Sequence, residues 1–247
     1  MAISLKSISR NVAVTTPRIV LYGPHGIGKS TFGAMAPQSI FLPLEDGMGR
    51  LVVDHFPLMT SWSDVMDAIG TLYQEEHDYK TIVVDTIDWL EPLVWTEACR
   101  RHEKANIEDF GYGKGYLMAA EVWREFLTGL NALRTEKSMI VVLLAHSEIR
   151  RFEDPAADPY DRYQIKLHQR ATALIEEWAD CVLFANFKTY VTQTKVGFNQ
   201  TVRRGIGTGE RTIYTEERPA FRAKNRYSLP PELPLSWEAF AKAINPI

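Results

Sequence analysis

The 247-residue chain is 45% hydrophobic and 24% charged, the makeup of a globular protein rather than a disordered or fibrous one. Its net charge of −3 excludes a polycation. No apolar run reaches the roughly 18 residues of a membrane span, and Met1–Arg10 lacks the apolar core of a secretion signal, so the expectation is a cytoplasmic protein with no membrane partner. Cys99 and Cys181 read as buried free thiols, and no Cys/His cluster has metal-ligand spacing.

The first informative segment is Arg18–Tyr22, an apolar run of strand-forming residues. It leads into Gly23-Pro24-His25-Gly26-Ile27-Gly28-Lys29-Ser30, a complete G-x-x-x-x-G-K-[ST] phosphate-binding loop, and then Thr31–Ala36 can be helical. The glycines let backbone N–H groups converge on phosphate oxygens. Lys29 is expected to meet the β- and γ-phosphates of ATP, and the Ser30 hydroxyl to ligate Mg²⁺. Gly23 through Thr31 are the candidate nucleotide-binding residues.

Ser39–Leu44 predicts a second strand, closed by Glu45-Asp46-Gly47. Ser61-Trp-Ser-Asp64 is a capping box opening an amphipathic helix. Lys80–Asp85 predicts a buried strand about fifty residues after the phosphate loop, with Asp85 the candidate Mg²⁺ ligand of a Walker B strand. A helix follows around Trp89–Val94; Pro92 suits only its first turns. Residues 105–116 predict a loop, Leu117–Leu133 a long helix, and Ser138–His146 a fourth strand. Residues 147–164 predict a polar loop, about 165–178 a helix, and Cys181–Ala185 a fifth strand. Beyond it, Gly197 and Gly205–Gly209 read as turn signals between short strands, and a last helix lies near Trp237–Ile244.

Several side chains in this frame suit phosphoryl chemistry. ATP hydrolysis needs a group that orients water, and Thr86 leaves the slot after Asp85 without a carboxylate. Glu45, at the carboxyl edge of the sheet where ligands bind, is the substitute, with Asp46 its rival. His146 at the same edge is a candidate γ-phosphate sensor. Charge is uneven: Lys188–Arg226 carries +6 and the remainder −9, which points to an anionic partner for the C-terminal third.

The order of these elements resembles the core of RecA-type recombinases. More closely, it is similar to the short phage-encoded RecA-like ATPases associated with single-strand annealing and recombination. The likeness covers about residues 17–230. It implies an α/β RecA-like P-loop NTPase fold, a mostly parallel sheet flanked by helices with a C-terminal β-hairpin extension. One domain would span 1–247, with its core at about 17–187 and the extension and last helix at about 188–247. It implies a DNA-dependent, Mg²⁺-dependent ATPase in phage recombination, annealing or replication, working in the host cytoplasm. Its partners would be single-stranded DNA, further copies of itself in a ring or filament with ATP at the subunit interfaces, and a single-strand DNA-binding protein.

By the same resemblance Glu45 activates water, and His146 stands where RecA proteins carry a sensor Gln. Two DNA-binding loops would map to 106–116, with Tyr112, Lys114 and Tyr116, and to 147–168 and its flank, with Arg150, Arg151, Arg162, Lys166 and Arg170. Aromatic rings there can stack on bases while the cations meet phosphates. Lys224 and Arg226 would be fingers reaching the ATP of a neighbouring subunit. With only about sixteen residues before the first strand and little after 230, a role in annealing or in assisting another DNA-binding protein is expected rather than full strand exchange. A small-molecule kinase, a nucleotide-regulated assembly protein without turnover and a helicase loader are the alternatives.

Overall fold

The computed structural model describes residues 16–244 apart from 157, 198 and 199, with backbone alone for 189–208. Met1–Arg10 and the side chains of Lys195, Arg203 and Arg204 from the basic segment lie outside the described residues.

The elements run β1 (Arg18–Gly23), α1 (Lys29–Ala34), β2 (Ser39–Pro43), β3 (Asp54–His55), α2 (Trp62–Gln74), β4 (Thr81–Asp85), α3 (Ile87–Arg101) and a 3₁₀ turn (Ile107–Phe110). Then follow α4 (Lys114–Glu136), β5 (Ile140–Phe152), β6 (Tyr160–Ile165), α5 (Gln169–Trp178), β7 (Cys181–Gly197) and β8 (Gln200–Tyr214). β9 (Lys224–Asn225), β10 (Glu232–Pro234) and α6 (Trp237–Ile244) complete the chain. The main sheet has the order β10-β8-β7-β1-β5-β4-β2-β3. Every pairing from β7 to β3 is parallel, and β8 and β10 join antiparallel.

β1 is buried on both faces because helices cover both sides. Val20 and Tyr22 point to a core closed by α2, α3, α4 and α5, and Ile19 and Leu21 to one closed by α1 and α6. Trp123 and Phe126 of α4 are almost fully buried in the first. Removing Phe126 to Ala would leave a cavity costing roughly 3–5 kcal/mol. In the second, Phe32 of α1 meets Trp237 and Phe240 of α6 at 5.2 and 5.9 Å. The capping box starts α2: the Asp64 N–H donates to Ser61 Oγ at 3.1 Å, and the Ser61 N–H donates to Asp64 Oδ2 at 2.9 Å.

Three stretches differ from the sequence reading. Residues 147–164 are not a loop: β5 runs past His146 to Phe152 and pairs antiparallel with β6. His146 is therefore the point where the strand leaves β1 and takes up β6, not a strand end. The two-stranded arm is mostly polar or charged and no apolar alternation marks its strands, so it reads as a loop. Ile165 accordingly belongs to β6, and α5 begins only at Gln169. Second, residues 105–116 hold the 3₁₀ turn and the start of α4. Third, Gly205–Gly209 lies inside β8, so the presumed short strands are one long hairpin, with register shifts between Phe187 and Thr189 and between Lys195 and Gly197. Irregular pairing of this kind tolerates strand glycines.

Candidate nucleotide site

The parallel register brings the candidate side chains to one edge. Gly23 of β1 pairs with His146 of β5, Asp85 of β4 with Leu144, and Pro43 of β2 with Asp85. Glu45 follows β2 by two residues. The crevice outside the carboxyl ends of the strands is where open α/β sheets bind ligands. Here it is a cleft of about 400 Å³.

The phosphate loop forms one wall. Ile27 is fully buried and anchors the loop in the core, while Gly28 has φ 111° just before α1, a conformation that excludes ordinary side chains. Gly23 must also be glycine, because a Cβ there would lie 2.3 Å from the Ala185 carbonyl oxygen. Lys29 is buried, its Nζ donating to the Gly23 and Pro24 carbonyls at 3.1 and 3.0 Å. Burial lowers its pKa, and the carboxylates of Asp85, Asp88 and Glu45 oppose that. His25, Gly26, Gly28, Lys29, Ser30 and Thr31 line the cleft; Gly23 and Pro24 serve it through their carbonyls.

Acids form the opposite wall. Asp85 is buried, with Oδ1 lacking any hydrogen-bond partner. Burial raises its pKa, and the Ser30 hydroxyl and Lys29 oppose the rise. An orphaned buried carboxylate oxygen beside a serine hydroxyl is a hard-oxygen donor pair of the kind Mg²⁺ takes, together with substrate phosphates. Among the described residues no group of three or more His, Cys, Asp or Glu would hold an ion alone, so phosphate oxygens would have to complete the shell. Asp85 and Ser30 thus fit the ion.

Glu45 is half-buried, and its Oε1 lies 3.9 Å from His146 Nε2. Burial raises its pKa, opposed by His146 and reinforced by Asp85 and Asp88. His146 is held by Asp88, which the sequence reading did not single out. The Asp88 carboxylate accepts the His146 backbone N–H and the Nδ1–H, each at 2.9 Å. Burial would raise the Asp88 pKa, but those bonds outweigh it and the net shift is downward. An ionised carboxylate only accepts, so the Nδ1 carries the proton and Nε2 faces Glu45. The His25 ring stacks on His146 at 3.7 Å. Burial, His146, Lys29 and Lys166 all lower the His25 pKa. The available signal for Asp88 was its place three residues after Asp85, in the first turn of α3.

This geometry has counterparts. A family model, AAA_24, described as an AAA domain, matches residues 15–227. The chain belongs to that family. The SPbeta prophage-derived uncharacterized protein YorG of Bacillus subtilis strain 168 is 25% identical over 176 residues, 67% of this chain and 49% of the relative. The chain thus spans about half the length of that curated relative. A solved structure titled as the RadB recombinase matches with TM-score 0.50 and 12% identity, over 91% of this chain and 90% of that one. The likeness to the RadB structure shows a shared fold, and the family is that of the AAA-domain model.

The remaining family candidates scatter. Lys224 and Arg226 are not brought to the cleft. β9 pairs with the start of β7, so they sit at the opposite edge of the sheet. Lys224 Nζ donates to the carbonyls of Glu176, Glu177 and Ala179 at the end of α5, and Arg226 pairs with Asp180 at 3.3 Å. Arg162 is buried and paired with Glu217, its guanidinium 4.7 Å over the Phe152 ring, so it offers no free cation. Arg150 pairs with Glu148 at 2.7 Å and donates to the Leu167 carbonyl at 3.1 Å.

Tyr116 stacks flat on His168 at 3.9 Å, joining the start of α4 to the residue that caps α5. Tyr112 is fully exposed, and Lys114 of α4, Arg151 of β5, Lys166 just after β6 and Arg170 of α5 are exposed too. Beneath His168, Glu91 of α3 accepts the His168 N–H with both oxygens at 3.0 Å. Burial pushes the Glu91 carboxyl up to about 7, against the His168 N–H and Arg150.

Proposed function

We propose that this chain binds and hydrolyses Mg²⁺-ATP and that single-stranded DNA stimulates the reaction, in phage recombination, annealing or replication. The observation that carries the reading is the convergence of Lys29, Asp85, Glu45 and His146 on one cleft beside a complete phosphate loop. Lys29 can exchange two neutral carbonyl acceptors for charged phosphate oxygens, a stronger partnership. Asp85 and Ser30 would hold Mg²⁺, which would neutralise phosphate charge. Glu45, shifted upward by burial, is poised to accept a proton from a water. Asp88 fixes His146, whose Nε2 faces both Glu45 and the cleft.

DNA binding is supported by the exposed aromatics and cations of the candidate loops, where bases can stack and phosphates pair. A neighbour titled a recombinase and a prophage-derived relative support the biological setting. We extend the reading to one domain of 1–247, to a homo-oligomer with ATP at its interfaces, to cooperation with a single-strand DNA-binding protein, and to the host cytoplasm. Among the described residues no helix is long and apolar enough to cross a membrane.

The test is steady-state ATP turnover with single-stranded DNA, with duplex DNA and with neither. Stimulation by the single strand is expected. Equal rates in all three would remove the DNA part, and no turnover would remove the catalytic part.

A further inference from the structure

The described residues contain one cation at the cleft that the phosphate-loop motif does not include. Arg211 belongs to β8, in the segment that the sequence presents as an appendage to the sheet. It nevertheless lines the cleft. A Cβ built on Gly28 would lie 3.0 Å from Arg211 Nη1 and 4.0 Å from its Cζ, so the guanidinium rests against the loop.

The backbone that carries Arg211 is fixed. Its carbonyl accepts the Leu235 N–H at 3.0 Å, and a Leu235 methyl lies 3.7 Å from the same built Cβ. Two residues on, α6 packs Trp237 against Phe32 of α1, the helix that follows the loop. β8 also pairs with β7, which adjoins the loop strand β1. The C-terminal segment is thereby clamped to both ends of the phosphate loop.

The guanidinium itself is uncommitted: Arg211 is exposed, with no side-chain hydrogen bond or ion pair among the described residues. Its neighbour in the cleft, Lys29, is a second cation. The acids of the cleft, Asp85 and Glu45, act on Lys29 and make no ion pair with Arg211 among the described residues, and a planar guanidinium fork matches phosphate oxygens bidentately. The opposite edge shows the contrast: there Arg18 and Arg226 each meet Asp180.

We infer that Arg211 reaches the phosphate chain of the nucleotide from within its own subunit, which makes the C-terminal hairpin a wall of the nucleotide site. This rests on the ATP-binding reading above. No covalent step is involved; the residue binds and positions.

Calorimetric titration of ADP and ATP into full-length wild type, Lys29→Ala, Arg211→Ala and Arg211→Lys tests it. Loss of a charge-assisted contact predicts about tenfold or greater weakening of both nucleotides in Arg211→Ala. Arg211→Lys keeps the charge and should recover all but about threefold of that loss. Because the side chain has no partner to lose, the nucleotide-free Arg211→Ala protein should melt within about two degrees of wild type. Wild-type affinity in Arg211→Ala overturns the inference. So does equal weakening in both Arg211 variants with a lowered melting temperature, which would mark a packing role. A wild type that binds no nucleotide would defeat the underlying reading instead, a distinguishable result.

Discussion

The two edges of the parallel sheet use the same residue types in opposite ways. At the amino edge, Asp180 accepts the Arg18 guanidinium at 2.7 Å and its backbone N–H at 3.0 Å, with Arg226 at 3.3 Å and Arg134 at 3.7 Å. Burial would raise the Asp180 pKa, but the Arg18 bonds win and the net shift is downward. At the carboxyl edge, Asp85 keeps an orphaned oxygen, Glu45 and Asp85 shift upward, and Arg211 lacks an acid partner among the described residues. Charges closed on each other hold the strands together. Charges left open by the fold are waiting for a ligand. The contrast also divides the basic C-terminal segment, because Lys224 and Arg226 belong to the closed edge and Arg211 to the open one.

The sharpest way to break this contrast is at Lys29. Lys29→Ala should lower ATP turnover by about a thousandfold or more, because it removes the cation proposed to face the transferred phosphoryl group. The nucleotide-free variant should still fold, with its melting temperature lowered by a few degrees because the Gly23 and Pro24 carbonyls lose their donor. A folded variant with normal turnover would place the chemistry elsewhere. Glu45→Gln comes next: ATP affinity should stay within about twofold while kcat falls about a hundredfold. Lost affinity with preserved kcat would make Glu45 a structural turn acid and promote Asp46.

The closed edge should answer with stability instead. Asp180→Asn leaves several guanidinium groups short of their anion, and unfolding in urea should show a loss of about 3 kcal/mol. ATP affinity of the folded fraction should not move. If affinity fell with stability unchanged, the distinction between edges would fail.

Glu91 lies beneath the proposed DNA surface and gives a pH test. Its folded pKa, about 7, is above the ordinary carboxylate value, so the folded state binds more protons than the unfolded one at intermediate pH. Stability from this group is therefore full below the unfolded pKa and is lost as pH rises towards and through 7. Wild type should lose on the order of 2 kcal/mol between pH 5 and 8 from this residue. Glu91→Gln should flatten that part of the profile. An unchanged slope in the variant would rule the group out as its source.

The smallest effect is expected at Lys224. Lys224→Ala removes a cation from the last carbonyls of α5 and should cost about 1 kcal/mol. The per-subunit ATPase rate should keep whatever dependence on protein concentration wild type has. Arg226→Ala should behave alike. Loss of a concentration-dependent rise in Arg226→Ala, recovered by mixing with Glu45→Gln, would instead make these residues fingers acting in trans.

Much of the candidate nucleotide site was legible because its signals are local. The phosphate loop is eight consecutive residues whose glycines answer to φ and close approach, and the apolar runs around Val20, Val83 and Leu143 announce strands buried on both faces. The capping box at Ser61–Asp64 is equally local. The arm formed by β5 and β6 was not legible, because its residues are mostly polar or charged and no apolar alternation marks the strands, although Arg162 and Ile165 are buried.

What the sequence determined by itself is the chemistry available: a phosphate loop, a strand-end Asp85, a Glu45 two residues past β2, and the alternation that forces a parallel sheet. What only the tertiary structure decided is which charges stay open. Asp88 is an unremarkable helix residue until β5 lays His146 against it, and Arg211 is one basic residue among nine in the Lys188–Arg226 stretch until β8 lays it over Gly28. Lys224 and Arg226 lie in that same stretch and are consumed at the far edge. The physical reason is that pairing between charges depends on distance through space, and register across the sheet, not position along the chain, sets that distance.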